Sequence, residues 1–332
     1  MSTAQEPEAT VAADPRVGGA RAVFWAGASI VVVYNFLAGA NEVFVSNRLQ
    51  SLDPALLLLL STGIAAVFFN VLQVRGPRRY AALVRRDLRW VALLNGSTAL
   101  VWVSFFVALR YAEPAIVATA NVALAPALAI VLARWIRPGS SVLGIERFAA
   151  AGIVVLLVGG LYVSAIGQSG VGSAFHQLSA LGVAASLVCG VSISATAMFA
   201  KRLYDGGWKA SQVMASRFWV LLAVTGLAVA LEGPAQRGLG SIPALGVTAV
   251  IAAVVGTVLS LYLLQLGIER LEPVTLGLLL ASGPVFTLLL QAFDPRLHFT
   301  VASIAIVGLS TVLVAWTLVA RDRAERKEET QT

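Results

Sequence analysis

The sequence is 332 residues long, 58% hydrophobic and only 12% charged, with a mean hydropathy of +0.84. A water-soluble domain carries about 25% charged residues, so this balance excludes an ordinary soluble globular protein. The net charge of +7 comes from arginines in short segments between apolar runs, a pattern that reads as membrane topology and not as a nucleic-acid surface.

The first 20 or so residues are polar and rich in Ala, Glu and Pro, too poor in apolar surface to order themselves. Ala38-Gly39-Ala40 imitates a signal-cleavage site, but Glu6, Glu8 and Asp14 spoil the basic start such a signal needs, so an uncleaved first helix is expected. Apolar runs bounded by charged or Pro/Gly breaks then predict helices over 23–46, 54–74, 89–110, 114–136 and 147–166. A second set follows over 178–200, 212–231, 243–265, 273–293 and 299–320. Each is about the length that crosses a hydrocarbon core of roughly 30 Å, and together they leave no room for a soluble catalytic domain.

With ten crossings and the N-terminus inside, 20 of the 24 basic residues fall on the inner side and only Arg48, Arg110, Arg237 and Arg296 outside. That asymmetry is what the positive-inside rule requires. The Arg75–Arg89 run holds six arginines and is expected to anchor the inner face on anionic lipid. Arg217, at the inner end of the seventh run, is expected to snorkel to the headgroups.

The two sets of five repeat one another. Ala108-Leu-Arg-Tyr-Ala-Glu-Pro114 corresponds to Gly267-Ile-Glu-Arg-Leu-Glu-Pro273, and each Glu-Pro opens a helix. Proline at a first helical position forfeits no hydrogen bond, and the acid before it favours the positive helix end. A second proline follows 12 and 11 residues later, Pro126 and Pro284, inside the same helix. Because five is odd, the second unit must run through the membrane upside down relative to the first, the inverted arrangement common in secondary transporters.

Ala108, Leu109, Tyr111, Pro114, Pro126, Arg147, Gly152, Gly159 and Gly160 together resemble the EamA-type branch of the drug/metabolite transporter superfamily. The resemblance covers roughly residues 22–320. It implies an all-α integral membrane protein of ten transmembrane helices, two inverted five-helix repeats, with both termini cytoplasmic. The layout expected is a disordered cytoplasmic tail at 1–21, repeats at 22–166 and 178–320, an external linker at 167–177 and a charged cytoplasmic tail at 321–332. The chain departs from the family's Gly-Glu-Arg loop, where it has Gly144-Ile-Glu146-Arg147 in the first unit and only Asp294 nearby in the second.

The first helix carries Asn35, Asn41 and Glu42 in an otherwise apolar run; ionisable groups at membrane depth usually face a cavity or a partner. Asn35 and Glu42 are seven residues apart and share one helix face. Further polar or aromatic side chains lie in the other predicted spans. In the resembled family the cavity is lined by the first, third and fourth helices of each unit. On that basis the candidate lining is Asn35, Glu42, Asn95, Trp102, Asn121, Ser192, Tyr262 and Gln265, with Pro126 and Pro284 as helix kinks that gate it.

One cysteine, Cys189, and two histidines, His176 and His298, offer no disulfide and poor metal ligands, so no cofactor or metal is expected. No phosphate-binding Gly-Lys-Ser/Thr loop, His-Glu-x-x-His or Gly-x-Ser-x-Gly motif is present. The expectation is a bacterial inner-membrane carrier, not an enzyme, that exports a small amino-acid-like or drug-like amphiphile by alternating access. Membrane lipids surround it, nucleic acid is no partner, and assembly as a homodimer is left open. A sugar or nucleotide-sugar carrier, a lipid-modifying membrane enzyme and a channel are the alternatives.

Overall fold

A computed structural model describes residues 15–49, 51–112, 114–115, 117–119, 121, 128, 144–165, 179–231, 242–271, 273–294 and 300–329. Residues 1–14 of the predicted tail, the predicted linker 167–177, Pro126, His176 and His298 lie outside the described residues.

Helix α1 spans Pro15–Arg48. It therefore begins inside the stretch expected to be a disordered tail over 1–21, because a proline opening needs no hydrogen bond and the turn runs unbroken into the apolar segment. Helix α2 covers Pro54–Val71, capped by the Asp53 side chain, which accepts from Leu56 N at 2.6 Å, with Pro54 opening the first turn. The arginine run folds as a separate helix, α3 (Pro77–Arg86), with no buried residue. Helix α4 follows at Leu88–Tyr111 and α5 at Gly144–Ala165.

The second half begins with α6 (Ser179–Asp205). Its next three spans are each interrupted. Helices α7 (Ala210–Ser216) and α8 (Trp219–Leu231) are separated by a bend at Arg217-Phe218. Helices α9 (Ile242–Ile251) and α10 (Ser260–Arg270) are joined by a π-helical stretch, Ala252–Leu259. Helices α11 (Pro273–Leu280) and α12 (Gly283–Gln291) are split at Ala281-Ser282, because Pro284 lacks an N–H and its ring clashes with the carbonyl one turn back. Helix α13 runs Val301–Glu329, well into the predicted tail at 321–332, whose Arg, Ala, Glu and Lys are strong helix formers.

Among the described residues, six helical spans are long and apolar enough to cross a membrane: Val23–Arg48, Pro54–Val71, Leu88–Tyr111, Ala184–Asp205, Ala210–Leu231 and Leu245–Arg270. Shorter apolar helices cover Arg147–Leu156, Thr275–Gln291 and Ile304–Thr317. The outer faces of the apolar helices are apolar, with Val33 and Phe36 on α1, Val67 and Phe68 on α2 and Val155 on α5 all exposed. Such a continuous apolar surface needs lipid to cover it. The chain is an all-α, multi-pass membrane protein.

Each of α1, α2, α4 and α5 makes its main packing contacts with the second half: α1 with α10 and α12, α2 with α8 and the π-helical stretch, α4 with α6, and α5 with α13. The two halves form one core. At the end of the bundle where α3 meets α4, Arg86 donates to Asp87 at 2.6 Å and to the Gly206 carbonyl at 2.6 Å, while Trp208 Nε1 donates to Asp87 at 2.7 Å. Partial burial pushes the Asp87 carboxyl up, but the hydrogen bonds from Arg86 and Trp208 outweigh it and hold the group below the ordinary carboxylate value. Nearby, buried Lys201 donates to the carbonyls of Ile268, Glu269 and Leu271, closing the C-terminus of α10.

Candidate functional site

The interruptions surround a central cavity. Its volume is about 110 Å³, several times the ~10–15 Å³ that one water occupies on the same measure, so a small metabolite fits. Tyr34, Ala38, Asn41 and Glu42 of α1 form one wall, and Val101, Trp102 and Phe105 of α4 face it. Asn121, Thr196 of α6, Arg217 at the α7–α8 bend, Gly256 of the π-helical stretch and Gln265 of α10 complete the polar part.

An asparagine stands at each of the broken helices around this space. Asn95 donates from Nδ2 to the Ser216 carbonyl at 2.6 Å and accepts from Val220 N at 3.3 Å, so one amide bridges both sides of the α7–α8 bend. Asn35 donates to the Leu279 carbonyl at 2.9 Å and to Ser282 Oγ at 3.1 Å across the α11–α12 break. Backbone groups freed inside a membrane need such partners, since lipid supplies none. Asn41 lies directly against Gly256, where a Cβ would collide with its amide. Thr257 Oγ1 in that stretch donates to the Ala252 carbonyl at 3.3 Å, and Ser260 Oγ, the first residue of α10, to the Val255 carbonyl at 2.5 Å, both five residues back. A π-bulge in a helix is frequently a functional site.

Glu42 is half-buried and its Oε2 accepts from Thr287 Oγ1 of α12 at 2.7 Å. Gly39, one turn before it, touches the Thr287 backbone, so α1 and α12 approach as closely as two backbones can there. Gln265 is buried, its Oε1 accepting from Tyr204 Oη at 2.5 Å. Arg217 is only 3% exposed, with Nη1 near Met214 Sδ at 3.8 Å and its guanidinium 5.6 Å from the Phe218 ring. Snorkelling to the headgroups was the expectation for it; the bend instead turns the side chain into the cavity.

Of the eight lining candidates, Glu42, Trp102, Asn121 and Gln265 border the cavity. Asn35 and Asn95 are buried at helix breaks and serve the backbone. Ser192 is buried within α6 and does not border the cavity. Tyr262 packs against Phe69, ring centroids 5.9 Å apart. Pro284 is buried at the start of α12, and Pro126 lies outside the described residues.

Sequence reasoning left out Arg217, Asn41, Tyr34 and Thr196. The available signal is an arginine inside the seventh apolar run, which reads as a helix end because no proline or glycine marks the bend. Asn41 was visible as an anomaly beside Glu42, but its contact with Gly256 depends on packing 215 residues away.

No family model and no curated protein matches this chain. Among solved structures, one described only as "Crystal structure of protein" shares the fold. It superposes with a TM-score of 0.63 at 19% identity over 91% of this chain and 98% of that chain. The likeness is one of fold.

Proposed function

We propose that this protein is a secondary transporter of the EamA type, in the drug/metabolite transporter superfamily, that carries a small amino-acid-like or drug-like amphiphile across the bacterial inner membrane. The observation that carries the reading is the central cavity. It lies among membrane-crossing helices of both halves, and buried polar side chains project into an otherwise apolar wall. A structural core would bury apolar groups there, since polar atoms at membrane depth are costly unless something uses them.

Ten crossings and an inverted duplication are part of the proposal, and the packing supports them. Exchange the spans pairwise, first with sixth, second with seventh, third with eighth and fifth with tenth. The α4–α6 contact then maps onto the contact of α10 with α1, while the α2–α8 and α5–α13 contacts map onto themselves. That is the pattern a two-fold exchange of the halves produces, and with five spans in each half its axis lies in the membrane plane. Such a pair of halves exposes one site to either face by exchanging conformations, and export is the direction the family resemblance implies.

Counterflow in proteoliposomes, with labelled amino acids, sugars, nucleotide-sugars and amphiphilic cations, tests this. Saturable exchange of one class is expected. Exchange restricted to nucleotide-sugars replaces the substrate class, and a folded protein that exchanges nothing removes the carrier reading.

A further inference from the structure

Four buried polar atoms at the cavity find no hydrogen-bond partner among the described residues: Arg217 Nε, Trp102 Nε1, Gln265 Nε2 and Asn121 Oδ1. Their residues are 3%, 6%, 0% and 3% exposed, so bulk water does not satisfy them. A buried donor left unmet is costly, and four on one cavity of this size make a set addressed to a ligand.

The chemistry of the set is one-sided. Of these four atoms, those of Arg217, Trp102 and Gln265 are donors and that of Asn121 is the acceptor. Of the cavity's other acceptors, Gln265 Oε1 takes the hydrogen of Tyr204 and one Glu42 oxygen that of Thr287. Among the described residues Arg217 has no carboxylate within salt-bridge distance, and a guanidinium away from water needs an anion. Three unpartnered donors on one cavity, one of them charged, suit the two oxygens of a carboxylate.

Resting on the carrier reading of this cavity, we infer that its ligand is a small organic monocarboxylate, held at the carboxylate by Arg217, Trp102 and Gln265. The rest of the ligand is largely apolar, because Val101, Phe105, Ile193, Leu261 and Leu264 line the same cavity. A dianion such as a phosphate ester is selected against: Arg217 is one positive charge, and the Glu42 carboxylate shares the cavity.

Calorimetric titration of the full chain in lipid nanodiscs with 3-phenylpropionate, 3-phenylpropionamide, phenethylammonium and phenyl phosphate tests the inference. Counterflow of the same probes runs in parallel. Wild type is expected to bind 3-phenylpropionate at least about tenfold more tightly than its amide, consistent with a charge-assisted pair, and more tightly than the other two. Arg217→Gln is expected to erase that preference, Arg217→Lys to keep part of it, and Trp102→Phe to weaken the carboxylate about threefold without touching charge. Equal binding of acid and amide, preference for the cation or the phosphate, no binding by wild type, or a preference that survives in Arg217→Gln overturns it. If Arg217→Gln does not fold, the wild-type probe series and Trp102→Phe decide. Carboxylate binding without exchange supports the anion site and removes the carrier, whereas exchange without carboxylate preference keeps the carrier and removes the anion site.

Discussion

At the scale of single residues, this molecule uses amides where a soluble protein uses water. Asn95 is the clearest instance, since it meets a carbonyl and an N–H on opposite sides of the bend that aims Arg217. Asn95→Leu leaves the buried Ser216 carbonyl without this partner, at about 1–3 kcal/mol, and frees the Val220 N–H as well. The thermal midpoint of the detergent-purified protein should fall by several degrees, while Leu100→Ala, at an exposed lipid-facing position of the same helix, leaves it nearly unchanged. Gly256 gives a second case. A methyl there collides with Asn41, so Gly256→Ala is expected to cost about 1–3 kcal/mol as overpacking. Asn41→Ala in the same chain should return most of it, and a double-mutant cycle showing simple additivity would contradict the contact. Asn35, Asn41 and Asn95 were all conspicuous in the sequence as polar residues in apolar runs. Their division into backbone partners and cavity wall was not, because it turns on which carbonyls the breaks release in helices far along the chain.

At the scale of elements, the helices that periodicity and length locate are those whose whole course is apolar, such as α2, α4 and α6. Interruptions were legible only where proline announces them, as at Pro284. The Arg217-Phe218 bend and the π-helical stretch contain no proline, so local propensity carries no trace of them. Helix α3 was equally hidden, since a run of six arginines states a preference for the aqueous interface and is silent on whether it coils. The link from the α3–α4 junction to the turn after α6 runs through Asp87, whose carboxylate takes hydrogen bonds from Arg86 and Trp208. Because Asp87 is held below its ordinary value, the link contributes fully above the usual carboxylate range and is lost as pH falls through the lowered value. Asp87→Asn should lower the thermal midpoint at neutral pH by about 2 °C, and the gap from wild type should close on acidification toward pH 3. A gap that stays constant between pH 7 and pH 3 would show that the charge of Asp87 contributes nothing.

For the whole molecule, the proposal stands on the number of crossings, and the stretch 114–136 decides it. If it crosses, the chain enters α5 on the same side as α3, the two five-helix units are inverted, and a cavity between them is open to exchange of conformations. If it does not, the units are not inverted copies and the symmetry argument from packing fails. The only cysteine, Cys189, is fully buried, so a membrane-impermeant maleimide finds little native background. In a Cys189→Ser chain with single cysteines introduced, Gly76→Cys, Ser140→Cys and Thr332→Cys should be labelled from one side of the membrane, and Ser51→Cys from the other. Inside-out and right-side-out vesicles provide the comparison. Labelling of Ser140→Cys from the same side as Ser51→Cys would mean that 114–136 turns back without crossing, and would leave the polar cavity as the site of some membrane-embedded activity other than alternating access.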